Sequence, residues 1–227
     1  MTRSGRIRTS SMLLAVGAIL GLAAVWVFLL PVRINGHKER YINRIRENID
    51  QALRSYEQTF DGMYPPSDDA AVGSGAECLY YYLMGPRGQG WGPNPADGGV
   101  PANYALGPAR ELSESWLVGG GRDGVRKYFV DDDPDNPQPI LYYRANTAVQ
   151  PGGTEPVRYD QVYNRLDNAR FWTPTAQEWH RYIANPASPS EAPFNPHSYL
   201  LISPGEDRQF GYVDGQCDDF ANYKRPR

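Results

Sequence analysis

Residues 12–30, MLLAVGAILGLAAVWVFLL, and residues 37–60, HKERYINRIRENIDQALRSYEQTF, decide how the rest of the chain is read. The first stretch is 19 residues long, carries no charge and is closed by Pro31. At the α-helical rise it spans about 28 Å, close to the ~30 Å hydrocarbon core of a bilayer. A soluble core helix of this length would carry a polar face, and this one has none. A cleaved signal peptide usually has a shorter apolar run, ~7–15 residues, ending in a small-x-small site. Here the run ends in Phe28-Leu29-Leu30-Pro31. The expectation is a retained transmembrane helix over 12–30, preceded by a basic cytoplasmic N-terminus over 1–11. In the second stretch Ile42, Ile45, Ile49, Ala52, Leu53, Tyr56 and Phe60 recur at steps of three and four, the spacing of one helix face. Arg44/Asn48 and Arg46/Asp50 supply polar partners at i,i+4. Asp61-Gly62 and then Pro65-Pro66 end the pattern, so an amphipathic helix is expected within 31–62, continuous with the membrane span or kinked at Pro31 and Gly36. Its stripe can pack on the chain's own globular part or on sister helices; the periodicity favours the former.

Beyond this the composition changes. The chain has 227 residues with 23 Gly and 20 Pro, and nearly all of these lie after residue 60, together with most of the 16 Tyr. An apolar fraction of 41% and a charged fraction of 22% exclude a disordered polyelectrolyte and a polytopic membrane protein. A net charge of −3 argues against general nucleic-acid binding, which needs a basic face. Basic residues flank the apolar run on both sides, Arg3, Arg6 and Arg8 before it and Arg33, Lys38, Arg40, Arg44 and Arg46 after it, so charge bias sets no orientation. An exported body rests instead on its Tyr/Gly/Pro-rich character and its single pair of cysteines.

In the globular part, residues 63–227, a short helix is expected over Gly75–Met84, ended by Gly85-Pro86, and a Gly/Pro-rich loop follows to Pro108. Strand-like runs are Ser115–Val118, Lys127–Val130, Ile140–Arg144 and Ser198–Ser203, the second and third joined by a turn over Asp131–Pro137. Residues 145–197 offer no strand but a helix around Thr175–Ile183. Strands joined by turns after a long helix predict an α+β domain with a small antiparallel sheet.

This layout resembles the type IV pilin-like superfamily, and more closely the major (G-type) pseudopilin of type II secretion. The resemblance is carried by the apolar helix passing into an amphipathic one, by Phe60-Asp61-Gly62-Met63-Tyr64-Pro65, and by Cys78-Leu79-Tyr80-Tyr81-Tyr82-Leu83. It continues in Asp133-Pro134-Asp135-Asn136-Pro137 before Ile140-Leu141-Tyr142-Tyr143, in Tyr199–Asp207, and in the closing Asp218-Asp219-Phe220-Ala221-Asn222-Tyr223. It implies a long N-terminal helix packed on the sheet. It further implies a single-pass inner (cytoplasmic) membrane protein with its body in the periplasm or outside the cell, and secretion-system proteins, pseudopilins or copies of itself as partners. The chain departs from the family at its start. Arg6-Ile7-Arg8-Thr9-Ser10-Ser11-Met12 stands in place of the processing motif, and no acidic residue precedes Glu39. In the family an intramembrane glutamate pairs with a neighbour's amine, so its absence removes an assembly contact and implies a permanent monomeric anchor.

Glu206, Asp207, Asp214, Asp218 and Asp219 form the leading candidate site, because hard cations take carboxylate and carbonyl oxygens from irregular loops. The resemblance implies Ca²⁺ here, held by the side chains of Asp207 and Asp218 or Asp219 and by backbone carbonyls near Leu201 and Ser203. The spacing is not that of an EF-hand. Asp131, Asp132, Asp133 and Asp135 read as a turn beside Pro134 and Pro137. Cys78 and Cys217 pair if the body is extracytoplasmic, and otherwise stay buried thiols. Gly119–Gly124 contains G-x-G-x-x-G, but Val125–Val130 after it reads as a strand, and a dinucleotide site needs a helix there. His37, His180 and His197 have no metalloprotease spacing, and no nucleophile elbow occurs, so no motif supports an enzyme. The expected function is structural, by protein–protein contact. The alternative is an anchored module binding sugars or peptides through exposed Tyr and Trp, with an extracytoplasmic hydrolase a more distant third.

Overall fold

A computed structural model describes residues 40–85, 112, 116–119, 127–131, 136–148, 159–188 and 192–223. The chain divides into two compact units, Met1–Tyr41 and Ile42–Arg227. The expected membrane span over 12–30 and the basic segment before it lie outside the described residues. Among the described residues no helix is long and apolar enough to cross a membrane.

Helix α1 covers residues 40–59. Its stripe is buried as the spacing requires: Ile42, Ile45, Ile49, Ala52 and Leu53 are each no more than 2% exposed. The polar positions flanking the stripe bind the body. Arg46 Nη1 donates to the Ala221 carbonyl at 2.6 Å, and Asp50 accepts from Tyr199. The amphipathic helix therefore packs on its own chain, within the unit Ile42–Arg227. Asp61 and Gly62, at φ 51° and 82°, turn the backbone left-handed and stop the helix, with Gly62 N–H returning to the Glu57 carbonyl at 2.9 Å.

Helix α2, Gly75–Met84, has the bounds its sequence predicts. Ser74 caps it and Glu77 reaches back to the Ser74 N–H at 2.7 Å, a reciprocal capping box. Glu77 is buried, and its other oxygen takes Arg170 Nη1 at 2.6 Å. Gly75 lies so close to the sheet that a Cβ there would sit 2.1 Å from the Tyr142 carbonyl oxygen.

Strands β1 (Leu117–Gly119) and β2 (Lys127–Phe129) form an antiparallel hairpin with Leu117 opposite Phe129. A strand thus returns where a dinucleotide site would need a helix; residues 120–126 between them lie outside the described residues. Strand β3 (Leu141–Arg144) is the first of a three-stranded antiparallel sheet, β3-β4-β5, with β4 at Tyr199–Ser203 and β5 at Phe220–Ala221. Leu141 faces Ile202, and Ser203 faces Phe220. Helix α2 packs against β2 and β3. Between β2 and β3 the chain reverses, with Val130 bridging Pro139 and Asp131 Oδ1 accepting the Gln138 N–H at 2.9 Å, as a turn-forming Asp would. Asp132, Asp133 and Asp135 lie outside the described residues.

The other side of the sheet carries α3 (Tyr159–Val162) and α4 (Ala176–Ile183). Thr175 and Glu178 form the capping box of α4, which buries Trp179, Tyr182 and Ile183 against Leu141, Tyr143, Leu200 and Ile202. Tyr163 and Trp179 are fully buried, yet each polar tip is satisfied: the Tyr163 hydroxyl donates to the Phe194 and Asn195 carbonyls, and Trp179 Nε1 to the Tyr163 carbonyl. The domain is α+β with a small antiparallel sheet.

Candidate functional site

The acidic loop connects β4 to β5, so both of its ends are held by one pair of strands. Within it the carboxylates face backbone amides. Asp218 Oδ2 accepts from the Glu206 and Asp207 N–H groups at 2.6 and 3.2 Å, Asp207 Oδ1 from Gln209 at 2.8 Å, and Asp219 Oδ2 from Gly211 at 2.7 Å. Gly205 passes so close to Asp218 that a Cβ would lie 2.2 Å from its Cγ. Asp214 and Gly215, at φ 50° and 80°, form an exposed turn at the loop's tip, apart from these contacts. The Leu201 carbonyl accepts the Asn222 N–H, and Asn222 Oδ1 takes the Leu201 N–H in return. Ser203 Oγ is buried and has no hydrogen-bond partner. Among the described residues no three His, Cys, Asp or Glu converge to hold a metal ion. The fit to Ca²⁺ is therefore partial. The oxygens are of the hard type, but one from each of Asp207, Asp218 and Asp219 already braces the loop, and the Leu201 carbonyl belongs to the sheet.

Cys78 and Cys217 are not joined by a disulfide in this structure. Cys78 is buried on α2, where its Sγ faces the Gly73 carbonyl at 3.8 Å, whereas Cys217 packs against the aromatic cluster around Trp179. Burial pushes the Cys78 thiol up to about 12, which leaves it a poor nucleophile. His180 is exposed on α4 and its ring lies 3.9 Å from that of Tyr159, and His197 is likewise exposed; neither forms a metal cluster with the described residues.

Two cavities were not legible in the sequence. The first, 330 Å³, is an aromatic cleft between Trp172, Pro174, Phe210 and Tyr212 with Glu178 on its rim. Trp172 stacks on Phe210 at 6.0 Å, and Gly211, at φ 93°, lets the strand of chain approach the indole, where a Cβ would sit 3.1 Å from Trp172 Cζ2. Arg181 caps the neighbouring Tyr212 ring at 3.9 Å. The aromatic fraction hinted at such a surface, but not at which rings converge.

The second cavity, 620 Å³, is polar and lies between the loop before α2, the end of β3 and the turn after α3. Ser67 Oγ donates to Asp167 Oδ2 at 2.5 Å while accepting the Arg144 N–H at 3.0 Å. Asp167 is 8% exposed, and its Oδ1 has no hydrogen-bond partner. Burial is the main cause that lifts its carboxyl to about 7; the Ser67 hydrogen bond opposes this, and the nearby Asp68 charge adds to it. A single Asp in Asn164-Arg165-Leu166-Asp167-Asn168 carries no signal of this, because the burial comes from residues 100 positions away. Comparison with family models, with curated proteins and with solved structures finds no match for this chain.

Proposed function

We propose that the chain is a membrane-anchored, pseudopilin-like structural and interaction protein of a type II secretion or related pilus-like system. The observation that carries this reading is the packing of α1 on its own antiparallel sheet through Asp50–Tyr199 and Arg46–Ala221, the helix-on-sheet layout that the family resemblance implies. An apolar run placed just before such a helix would anchor the body at the membrane face. The body lacks any recognised nucleophile motif, so contact rather than chemistry is its proposed work. In the reading's test, the chain is deleted in its host and the secreted proteins are measured. Retention of exported proteins in the periplasm supports the role, and unchanged secretion overturns it. Intact mass from host membranes tests the anchor: a full-length, unmodified chain is expected, and a shortened, N-methylated one would point to polymer assembly.

Calcium is proposed as an addition to the acidic loop rather than its organiser. Asp207 and Asp218 each keep a second carboxylate oxygen after bracing the loop, a donor set suited to weak, ~10⁻⁴–10⁻³ M binding. Millimolar Ca²⁺ is expected to raise the melting temperature over that in chelator, and Asp207→Asn should remove the rise. Identical melting in both would eliminate the ion.

A second reading is favoured by the aromatic cleft at Trp172 and Phe210: an anchored module for sugar or peptide ligands. A glycan and peptide array probed with the full chain, with Trp172→Ala as control, decides it.

A further inference from the structure

The polar cavity beside Asp167 is lined by two charged side chains that make no ion pair with each other. Arg144 gives its backbone N–H to Ser67, but its half-buried guanidinium forms no hydrogen bond or ion pair with the described residues. Asp68 lines the same cavity, is exposed, and does not pair with Arg144. Opposite charges that face one cavity without meeting leave a field across it that suits a dipolar ligand. The rest of the wall is mostly polar, with Ala145 and Val162 as its apolar part. Asn146 commits its side-chain oxygen to a turn, at 3.2 Å to the Ala148 N–H, which leaves its NH₂ group as a donor, whereas Asn164 gives its oxygen to the Leu166 N–H at 3.1 Å and acts on Asp167. Asp167, more than nine-tenths buried in this wall, keeps one carboxyl oxygen without a hydrogen-bond partner. The volume, 620 Å³, falls in the ordinary range for small-ligand sites.

An anion alone would meet Arg144 and confront Asp68. A cation alone would do the reverse. We propose that this cavity binds a small zwitterion, a free α-amino acid or a dipeptide taken whole, with its carboxylate on Arg144 and its ammonium on the Asp68 side. The site is independent of the secretion role and of the aromatic cleft, so its failure would leave both standing.

The test is thermal unfolding of the full-length chain in detergent with four probes: glycine and glycylglycine as zwitterions, glycinamide as the ammonium alone, and N-acetylglycine as the carboxylate alone. Either zwitterion should raise the melting temperature by about 3–6 °C at ten times its Kd, and each half-probe should do far less. A larger effect of glycine assigns the site to free amino acids, and a larger effect of glycylglycine to whole dipeptides. Arg144→Gln and Asp68→Asn should each weaken binding roughly 10- to 100-fold, the loss expected for a charged hydrogen-bonding group. Both side chains lie outside the core, so the unliganded variants should melt with the wild type. Hydrogen exchange on the wild-type chain supplies the second measurement, with zwitterion-dependent protection expected over residues 67–68 and 144–146. No shift with either zwitterion at about 10 mM, far above an ordinary small-ligand Kd, would overturn the proposal. So would an equal response to the half-probes, or binding that survives Arg144→Gln.

Discussion

The Tyr199 hydroxyl donates to Asp50 Oδ1 at 2.9 Å, tying the first residue of β4 to the middle of a helix 149 positions earlier. Burial raises the Asp50 carboxyl above the usual carboxylate range, and the Tyr199 hydrogen bond opposes that rise. The bond thus keeps a partly buried charge tolerable where the helix meets the sheet. Tyr199→Phe should cost about 1–3 kcal/mol, because it leaves that carboxylate short of a donor. Urea unfolding measures the loss. A change below ~0.5 kcal/mol would show that water in the adjoining 490 Å³ cavity replaces the hydroxyl.

Asp167 makes stability depend on pH. Its carboxyl rises from 3.8 to about 7 in the folded chain, with Ser67, Asp68 and Asn164 as the groups acting on it and Cys78 and Tyr143 within its electrostatic reach. The folded state therefore holds a proton that the unfolded state has already released. Its contribution is fully present below about pH 4 and is lost as pH rises through about 7, of the order of 4 kcal/mol over that window. Asp167→Asn should flatten this slope in denaturant midpoints taken from pH 4.5 to 8. An unaltered slope would assign it to other groups, of which Asp50 shifts in the same direction.

Gly75 opens α2 against the sheet, and a Cβ there would press on the Tyr142 carbonyl and, at 2.9 Å, on Asn168 Nδ2. The nearest obstacle is backbone, which cannot swing aside. Gly75→Ala should destabilise by about 1–3 kcal/mol despite the better helix propensity of alanine. Gly215→Ala is the control: it meets open space and bears only the left-handed backbone at φ 80°, a cost of ~1 kcal/mol. Equal losses in thermal melts would contradict the close approach.

The two thiols should differ in reactivity. Cys217 is half-buried and Cys78 wholly buried with its thiol pushed up to about 12. Native alkylation followed by mass analysis should label Cys217 first and Cys78 only on unfolding. A peptide joining the two cysteines under non-reducing conditions would restore the bridge.

Local patterning made much of the fold legible. The step-three-and-four stripe of α1, the stretch Gly75–Met84 before Gly85-Pro86 and the strand-like runs at β3 and β4 are all short-range features, and each of these elements lies where they put it. Strand β5 and helix α3 were not foreseen. Two residues of β5 and four of α3 carry too little periodicity, and both form because β4 and the Trp179 cluster offer them a surface. The acidic loop was visible as a concentration of Asp, but not the use of those carboxylates to hold backbone amides.

By itself the sequence determined where α1, α2, α4 and the strands β1–β4 lie and that α1 has one apolar face, since these follow from backbone propensity and local periodicity. Only the tertiary structure decided what that face covers, which rings line the cleft at Trp172, and that Asp167, Arg144 and Asp68 share one cavity. Burial and charge proximity arise from residues distant in the chain, and the same aspartate is an ordinary surface acid or a group titrating near neutrality according to what folds over it.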